Sequence, residues 1–354
     1  MYFNRKISVA MATYNGEKYI KNQLLSIINQ TVSVDEIIIS DDGSTDSTIS
    51  IINEIALCNS NVSFTVLSDN KNHGPKGNFE HALVNCTGDY IFLADQDDIW
   101  KKEKVEHVIS VFLKNPDVHF VCHDADLIDK NNSIIQGVFN KTINGFNLGV
   151  NESQYIKISK EQFFSIIVYR NLTNGMVMCI SSWLKNQVIP FPETFTYHDW
   201  WIMVVALKYD SCVFLNEVLT DYRLHENNTV GNNSYSGNLA DRIKKKIRMI
   251  KMLKQNSLQT LYHLNTLKLL INENDLNEKE AYENINVLYH INTELISIES
   301  CGRLQASFKL LSLYMNNMRY RRTGINSLLQ ELLYILLNNK ETRIENLHRM
   351  GNHD

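Results

Sequence analysis

Four short apolar runs rich in β-branched residues, ISVAMA (7 to 12), EIIIS (36 to 40), VSFTVLSD (62 to 69) and DYIFLAD (89 to 95), each end in a polar cluster. The segments between them repeat at helical spacing, Tyr19, Ile20, Leu24, Ile27 and Ile28 in one, and Ile49, Ile52 and Ile55 in another, the latter with Ser44 or Asp46 as N-cap. Strands alternating with helices predict an α/β fold built on a parallel sheet with crossover helices. The clusters ATYNG, DDGSTD, SDNKNHG and DQDD then fall at strand C-termini, on the rim where open α/β sheets bind their ligands. One such cluster is also what a capped helix or a solvated turn needs. Four on a single rim are harder to account for in that way.

From about Glu161 to Thr220 the pattern is mixed, with EQFFSIIVYR helical, MVMCI a strand, HDWWIMVVALKYD a helix and CVFLNEVLTDYR extended. Beyond Gly237 the chain loses the strand pattern and has almost no glycine, which divides it into an α/β domain at 1–236 and a helical region at 237–354. A net charge of -4 gives no overall pull toward nucleic acid, and none is expected as a partner. The six cysteines, Cys58, Cys86, Cys122, Cys179, Cys212 and Cys301, show no ligand spacing and read as buried thiols. The N-terminus lacks a signal-peptide pattern and no run of 18 apolar residues occurs, so a cytoplasmic location is expected.

DQDD lacks the glycine and the later ligands of an EF-hand. Asp95 and Asp97, one residue apart, suit a divalent cation that keeps its other positions for water and a ligand's phosphates. In DDGSTD, Gly43 permits the turn, and an aspartate there can both start a helix and accept a hydrogen bond from a base or ribose. Tyr14 offers an aromatic face to a base. Asp199, in HDWW, stands at a helix start, where it either caps the helix or acts on a substrate. His225 by itself is as readily a structural histidine as a metal ligand.

ISVAMATYNGEKYIKNQLLSIINQT, EIIISDDGSTDST and GDYIFLADQDDIW together resemble family 2 of the inverting, nucleotide-sugar-dependent glycosyltransferases, which have the GT-A fold, a Rossmann-like, mostly parallel sheet flanked by helices. The resemblance covers roughly the first 230 residues. It implies that Asp95 and Asp97 bind Mn2+ or Mg2+ at the donor diphosphate, Asp97 more directly. It places Tyr14 against the base, Asp42 on the pyrimidine, Ala12 and Thr13 beside it, and Asp69, at the end of the third run, among the donor-binding groups. It also places Lys76 and Asn78, in NHGPKGNF, near the nucleotide or sugar. Asp199 takes the position of the base that deprotonates the acceptor. DYRLHENNTVG resembles a late family segment that puts His225 at the metal or diphosphate and Arg223 beside phosphate.

DQDDIW, HDWW and YRLHENN look most like the bacterial rhamnosyltransferase subset, which implies a dTDP- or UDP-linked donor and a lipid-carried cell-surface polysaccharide as acceptor; glucosyl and galactosyl donors stay open. The basic amphipathic segment LADRIKKKIRMIKMLK (239 to 254) would lie on a membrane surface or pack on the catalytic domain. MRYRR (318 to 322) extends that surface or serves a homodimer, and INSLLQELLYILLNN is too short to span a bilayer. Two other readings compete: a nucleotidyltransferase, which would need a glycine-rich basic loop absent from ATYNGEKYI, and an inactive donor-binding subunit, against which Asp95, Asp97, Asp199 and His225 are all present.

Overall fold

The computed structural model describes residues 5–68, 71–136, 155–158, 171, 173–195 and 197–225, with scattered helical positions between 261 and 293. Asp69 and the segments 161–170, 239–254, 318–322 and 325–339 lie outside the described residues. The chain divides into two compact units, Met1–Asn232 and Asn233–Asp354. In the second, the described positions are helical, with Leu264 and Ile285 buried.

The first unit holds β1 (Ile7–Thr13), α1 (Ile20–Ile28), β2 (Glu36–Asp41), α2 (Thr48–Cys58), β3 (Ser63–Leu67), α3 (Gly74–Asn85), β4 (Tyr90–Ala94), β5 (Ile99–Trp100), α4 (Lys104–Lys114), β6 (Phe120–Ile128), β7 (Ile134–Gln136), β8 (Tyr155–Ile158), β9 (Met178–Ser181), α5 (Ser182–Val188), α6 (His198–Lys208) and β10 (Cys212–Arg223). The sheet runs β3-β2-β1-β4-β9-β6-β10-β5, with β7 paired to β6 and β8 to β10. All four strands anticipated at 7 to 95 are present and mutually parallel, in the order β3-β2-β1-β4.

Beyond β4 the sheet is mixed rather than mostly parallel. β9 enters antiparallel between β4 and β6, and β10 returns parallel to β6. Since β9 reverses direction twice over, β6 and β10 point the same way as β1 to β4, and all their C-terminal ends share one rim.

The helical stripes read from the sequence bury their faces as expected. Ile20, Leu24 and Ile27 of α1 and Ile52 and Ile55 of α2 join one core with Val9, Met11, Ile37, Ile39 and Phe92 and with Val105, Val108, Ile109 and Phe112 of α4, a helix the sequence reading had not marked. Each buried aliphatic side chain of this size contributes about 1.5–3 kcal/mol. The central strand β2 is buried at every position, as a strand covered on both faces must be. The five described cysteines are free thiols; four are buried, and Cys58, at the end of α2, is exposed.

The rim opposite the polar clusters is closed by Glu36. Its carboxylate accepts hydrogen bonds from Lys6 Nζ at 2.7 Å, Ser8 Oγ at 2.6 Å and the Thr87 amide at 2.7 Å, tying β1, β2 and the approach to β4. Next to Thr87, Gly88 leaves no room for a Cβ, which would come to 2.7 Å from the Ser8 nitrogen and 2.9 Å from the Lys6 carbonyl.

Burial alone would raise the Glu36 pKa, but these donors outweigh it and bring it from 4.5 to about 2. Because the folded value lies below the unfolded one, the stabilisation is complete above pH 4.5 and is lost as pH falls toward 2. Glu36→Gln is therefore expected to cost roughly 2 to 3 kcal/mol at pH 7, a gap that narrows steadily by pH 3. Urea midpoints of both proteins at the two pH values check it, and an equal gap at both would contradict the assignment.

Candidate active site

The loops after β1 and β2 interlock. Asn15, at φ 47°, donates its amide to Ser44 Oγ at 2.8 Å and accepts from the Thr45 amide at 2.8 Å. Gly16 N–H reaches Thr48 Oγ1 at 2.7 Å, Glu17 N–H reaches Asp46 at 3.1 Å, and Glu17 accepts from the Ser47 amide at 2.9 Å. Asp46 also takes the Thr48 amide at 3.0 Å, so it serves the α2 start from just outside the helix while Ser47 occupies the N-cap without a side-chain bond. Asp41 accepts from Thr13 Oγ1, the Gly43 and Ser44 amides and Ser44 Oγ. Gly43 sits at φ 81°, where a side chain would be strained. These bonds consume most of the polar groups of ATYNG and DDGSTD. The Tyr14 ring, 51% exposed, is left facing solvent.

Asp42 is buried beside this loop pair, and burial raises its pKa against the pull of the His73 and Gly74 amides. Its carboxylate accepts from the His73 N–H at 3.1 Å, capping α3 from another strand, because His73 itself makes no cap bond. Thr13 is buried, with its carbonyl accepting from the Asp42 amide at 3.0 Å and from Asn78 Nδ2 at 3.1 Å. Ala12, before it, is half-buried. Asn78 is thus a buried tie beneath the end of β1. Lys76 donates to the carbonyls of Pro192 at 3.0 Å and Phe195 at 2.9 Å, holding the approach to α6. The hydrogen bonds of both residues, expected near the nucleotide or sugar, go to backbone carbonyls of the protein itself.

DQDD follows β4. Asp97 Oδ2 accepts from His225 Nε2 at 2.7 Å, each side chain 13% exposed, and the His225 ring lies 5.0 Å from that of Tyr19. Arg223, expected beside phosphate, is buried. Its Nε donates to the Asp97 carbonyl at 2.7 Å, its Nη1 to the Asp129 carbonyl at 2.9 Å, its amide to Asp98 Oδ1 at 3.0 Å, and its guanidinium covers the Tyr19 ring at 4.7 Å. The end of β10 therefore fixes the acidic loop from below through a forked donor. Burial, and then the charges of Asp97 and Asp199, raise the Asp95 carboxyl to about 7. Asp98 is fully buried and is also pushed well above its ordinary value, first by burial and then by Asp97 and Asp95.

Asp199 occupies the first turn of α6 and is buried. Burial raises its pKa to about 6, opposed by hydrogen bonds from the Trp200 amide, the Asn171 side chain and the Gly175 amide. Next to it, the His198 ring stacks on Phe79 at 4.1 Å, and burial lowers its pKa to about 3. His198 is a neutral packing residue that leaves no space for a Cβ at Gly175, 2.8 Å away.

Lys104 is a buried charge behind the acidic loop that the sequence reading missed. Fully buried in α4, it donates to the Met176 carbonyl at 2.8 Å and Thr220 Oγ1 at 2.9 Å, lies 4.0 Å from the Trp100 ring centre, and is lowered to about 7 by burial against the fields of Asp98 and Asp95. The signal was present: Lys104 shares the helical face of Val108 and Val111, where a lysine is out of pattern. Gln96 was missed as well.

The donor set fits a hard divalent cation. Asp97 and His225 converge, and Asp95 supplies a further carboxyl. Among the described residues no group of three or more His, Cys, Asp or Glu side chains is placed to hold a metal ion.

Arg223→Met removes the Nε donor from the Asp97 carbonyl and leaves the Asp129 carbonyl with the Asn132 amide alone, and is expected to cost on the order of 2 kcal/mol. A thermal midpoint within a degree of the parent would refute that role.

The profile of Glycosyl transferase family 2 matches residues 8–171. The chain is 30% identical over 234 residues to the dTDP-rhamnosyl transferase RfbG of Shigella flexneri, covering 63% of this chain and 74% of that one. Among solved structures, S. aureus TarS 1–349 in complex with UDP-GlcNAc superposes with a TM-score of 0.54 at 15% identity, over 96% of this chain and 92% of that one. The mannosyltransferase PcManGT of Pyrobaculum calidifontis, in complex with GDP-Man and Mn2+, gives 0.53 at 14% identity, over 95% and 87%. With that fold, a rim of carboxylates at the strand ends and a relative of this similarity matched over most of its length, the chain belongs to glycosyl transferase family 2 and is a glycosyltransferase.

Proposed function

We propose that the protein transfers a sugar, rhamnose in our reading, from a dTDP- or UDP-linked donor to a lipid-carried saccharide of a growing bacterial cell-surface polysaccharide, inverting the anomeric carbon in a single displacement. The observation that carries the reading is the position of Asp95, whose carboxyl feels both Asp97 and Asp199. That coupling supports taking the cation-binding candidates and the buried base candidate as one site. The name of RfbG supports the choice of sugar.

Tyr14 presents its ring to the base, worth ~1–3 kcal/mol if it stacks as other aromatics do, and Asp42 offers a carboxylate at the same edge. Asp97 and His225, with Asp95, would hold a Mn2+ or Mg2+ ion. When bound, that ion neutralises the charge that builds on the leaving diphosphate. Asp199 takes the proton of the acceptor hydroxyl at its carboxylate. The freed oxygen pair forms the new bond to the anomeric carbon while the bond to the diphosphate breaks on the opposite face. A base with a pKa of about 6 is ionised at pH 7 yet basic enough to share that proton. The amide of Gly175 and the side chain of Asn171 hold the carboxylate in place. Among the described residues no helix is long and apolar enough to cross a membrane; we assign contact with the lipid carrier to the basic segment 239–254.

The test is donor consumption by the purified protein across UDP-, dTDP- and GDP-sugars, with Mn2+ and a lipid-linked acceptor. One donor should be consumed, and EDTA or Asp97→Ala should abolish turnover. Turnover that survives both would sink the metal assignment. Asp199→Asn should lower kcat by roughly 10²–10⁴-fold. At saturating Mn2+, kcat/KM should fall about tenfold per pH unit below pH 6, since protonation removes the base, and the Asn variant should lose that acid limb. An acid limb unchanged in the variant would assign the proton transfer elsewhere.

A further inference from the structure

Gln96, the residue between Asp95 and Asp97, reaches back across 82 positions to the loop after β1. Its Oε1 accepts from the Tyr14 amide at 3.0 Å, and its Nε2 donates to the Tyr14 carbonyl at 3.0 Å. A single side-chain amide thus pairs with both polar groups of one residue, as a neighbouring strand would. Tyr14 lies one residue past the end of β1, where the ladder to β2 has finished. Gln96 stands in for that ladder.

Gly16 carries the second half of the argument. A Cβ on it would come to 2.6 Å from Gln96 Cδ, and closer still to Oε1. Gly16 lies at none of the left-handed backbone positions, and the Gln96 amide fills the space its side chain would take.

We propose that Gln96 is a positioning residue that fixes the backbone of Tyr14, and through it the aromatic face offered to the donor's base, at a set distance from the carboxylates on either side of Gln96. The inference rests on the reading of Tyr14 as the base platform. The aspartates of the motif face the diphosphate end of the donor. The residue between them holds the nucleoside end.

The experiment titrates uridine and thymidine, which carry no phosphate, and separately Mn2+ alone, into the full-length protein, Gln96→Ala and Gln96→Met. Met keeps nearly the volume of Gln and loses both bonds, so it remains informative if the Ala variant fails to fold. Two hydrogen bonds of ordinary net strength predict a loss of roughly 5- to 30-fold in nucleoside affinity. Mn2+ affinity should stay within about twofold, and the kinetic loss should fall on KM for the donor more than on kcat. Gly16→Ala should weaken nucleoside binding in the parent and add little in Gln96→Met, a non-additivity that two independent structural defects would not give. Unchanged nucleoside affinity in both Gln96 variants overturns the positioning role. If the parent binds UDP or dTDP but neither nucleoside, Tyr14 is no base platform and the inference falls while the metal-diphosphate reading stands. If it binds no nucleotide at all, the reading of the whole site falls with it.

Discussion

Negative charge buried at the strand ends is the constraint on which the rest of this site depends. Asp41, Asp42, Asp97, Asp98 and Asp199 are all kept from bulk water, and an unpaired buried carboxylate is costly. The protein meets that cost mainly with neutral donors, the backbone amides at Asp41, Asp42, Asp98 and Asp199, while the His225 ring pairs with Asp97. Cations would have lowered the charge of the rim, whereas amides hold the carboxylates without cancelling them. Lys104, the one lysine buried behind the acidic loop among the described residues, spends its hydrogen bonds on Met176 and Thr220 rather than on a carboxylate.

Much of this was legible in the sequence because it follows from period and punctuation. Ile20, Leu24 and Ile27 and the run from Glu36 to Asp41 are positioned by repeat spacing alone, and Gly43 marks its turn. The second half was harder to read. β9 is only four residues long and antiparallel, and β6 carries His123, Asp124 and Asp126 inside a strand whose polar residues disguise its apolar face. Nothing local announces that such a strand pairs with one sixty residues away.

At the site, residue types were readable but commitments were not. Asp42 and Asp97 stand among the carboxylates that the motifs suggested, whereas Lys76, Asn78 and Arg223 are occupied within the protein. The reason is physical. A lysine or arginine advertises charge wherever it stands, but which carbonyl receives its proton depends on chain segments over a hundred residues distant, such as Pro192 for Lys76 and Asp97 for Arg223. Gln96 escaped notice for the opposite reason, being neutral between three charged neighbours.

The antiparallel entry of β9 has a consequence for how such a chain can change over time. Tyr14, Asp42 and Asp97 come from the parallel half of the sheet, whereas Asp199 follows β9 in the other half, and the two meet where β4 pairs with β9. In the proposed reaction, substitutions in the second half would reshape the approach of an acceptor while the interlocked loops assigned to the donor stay intact. The seam therefore separates two selectivities that one reaction must combine, and lets each drift at its own pace.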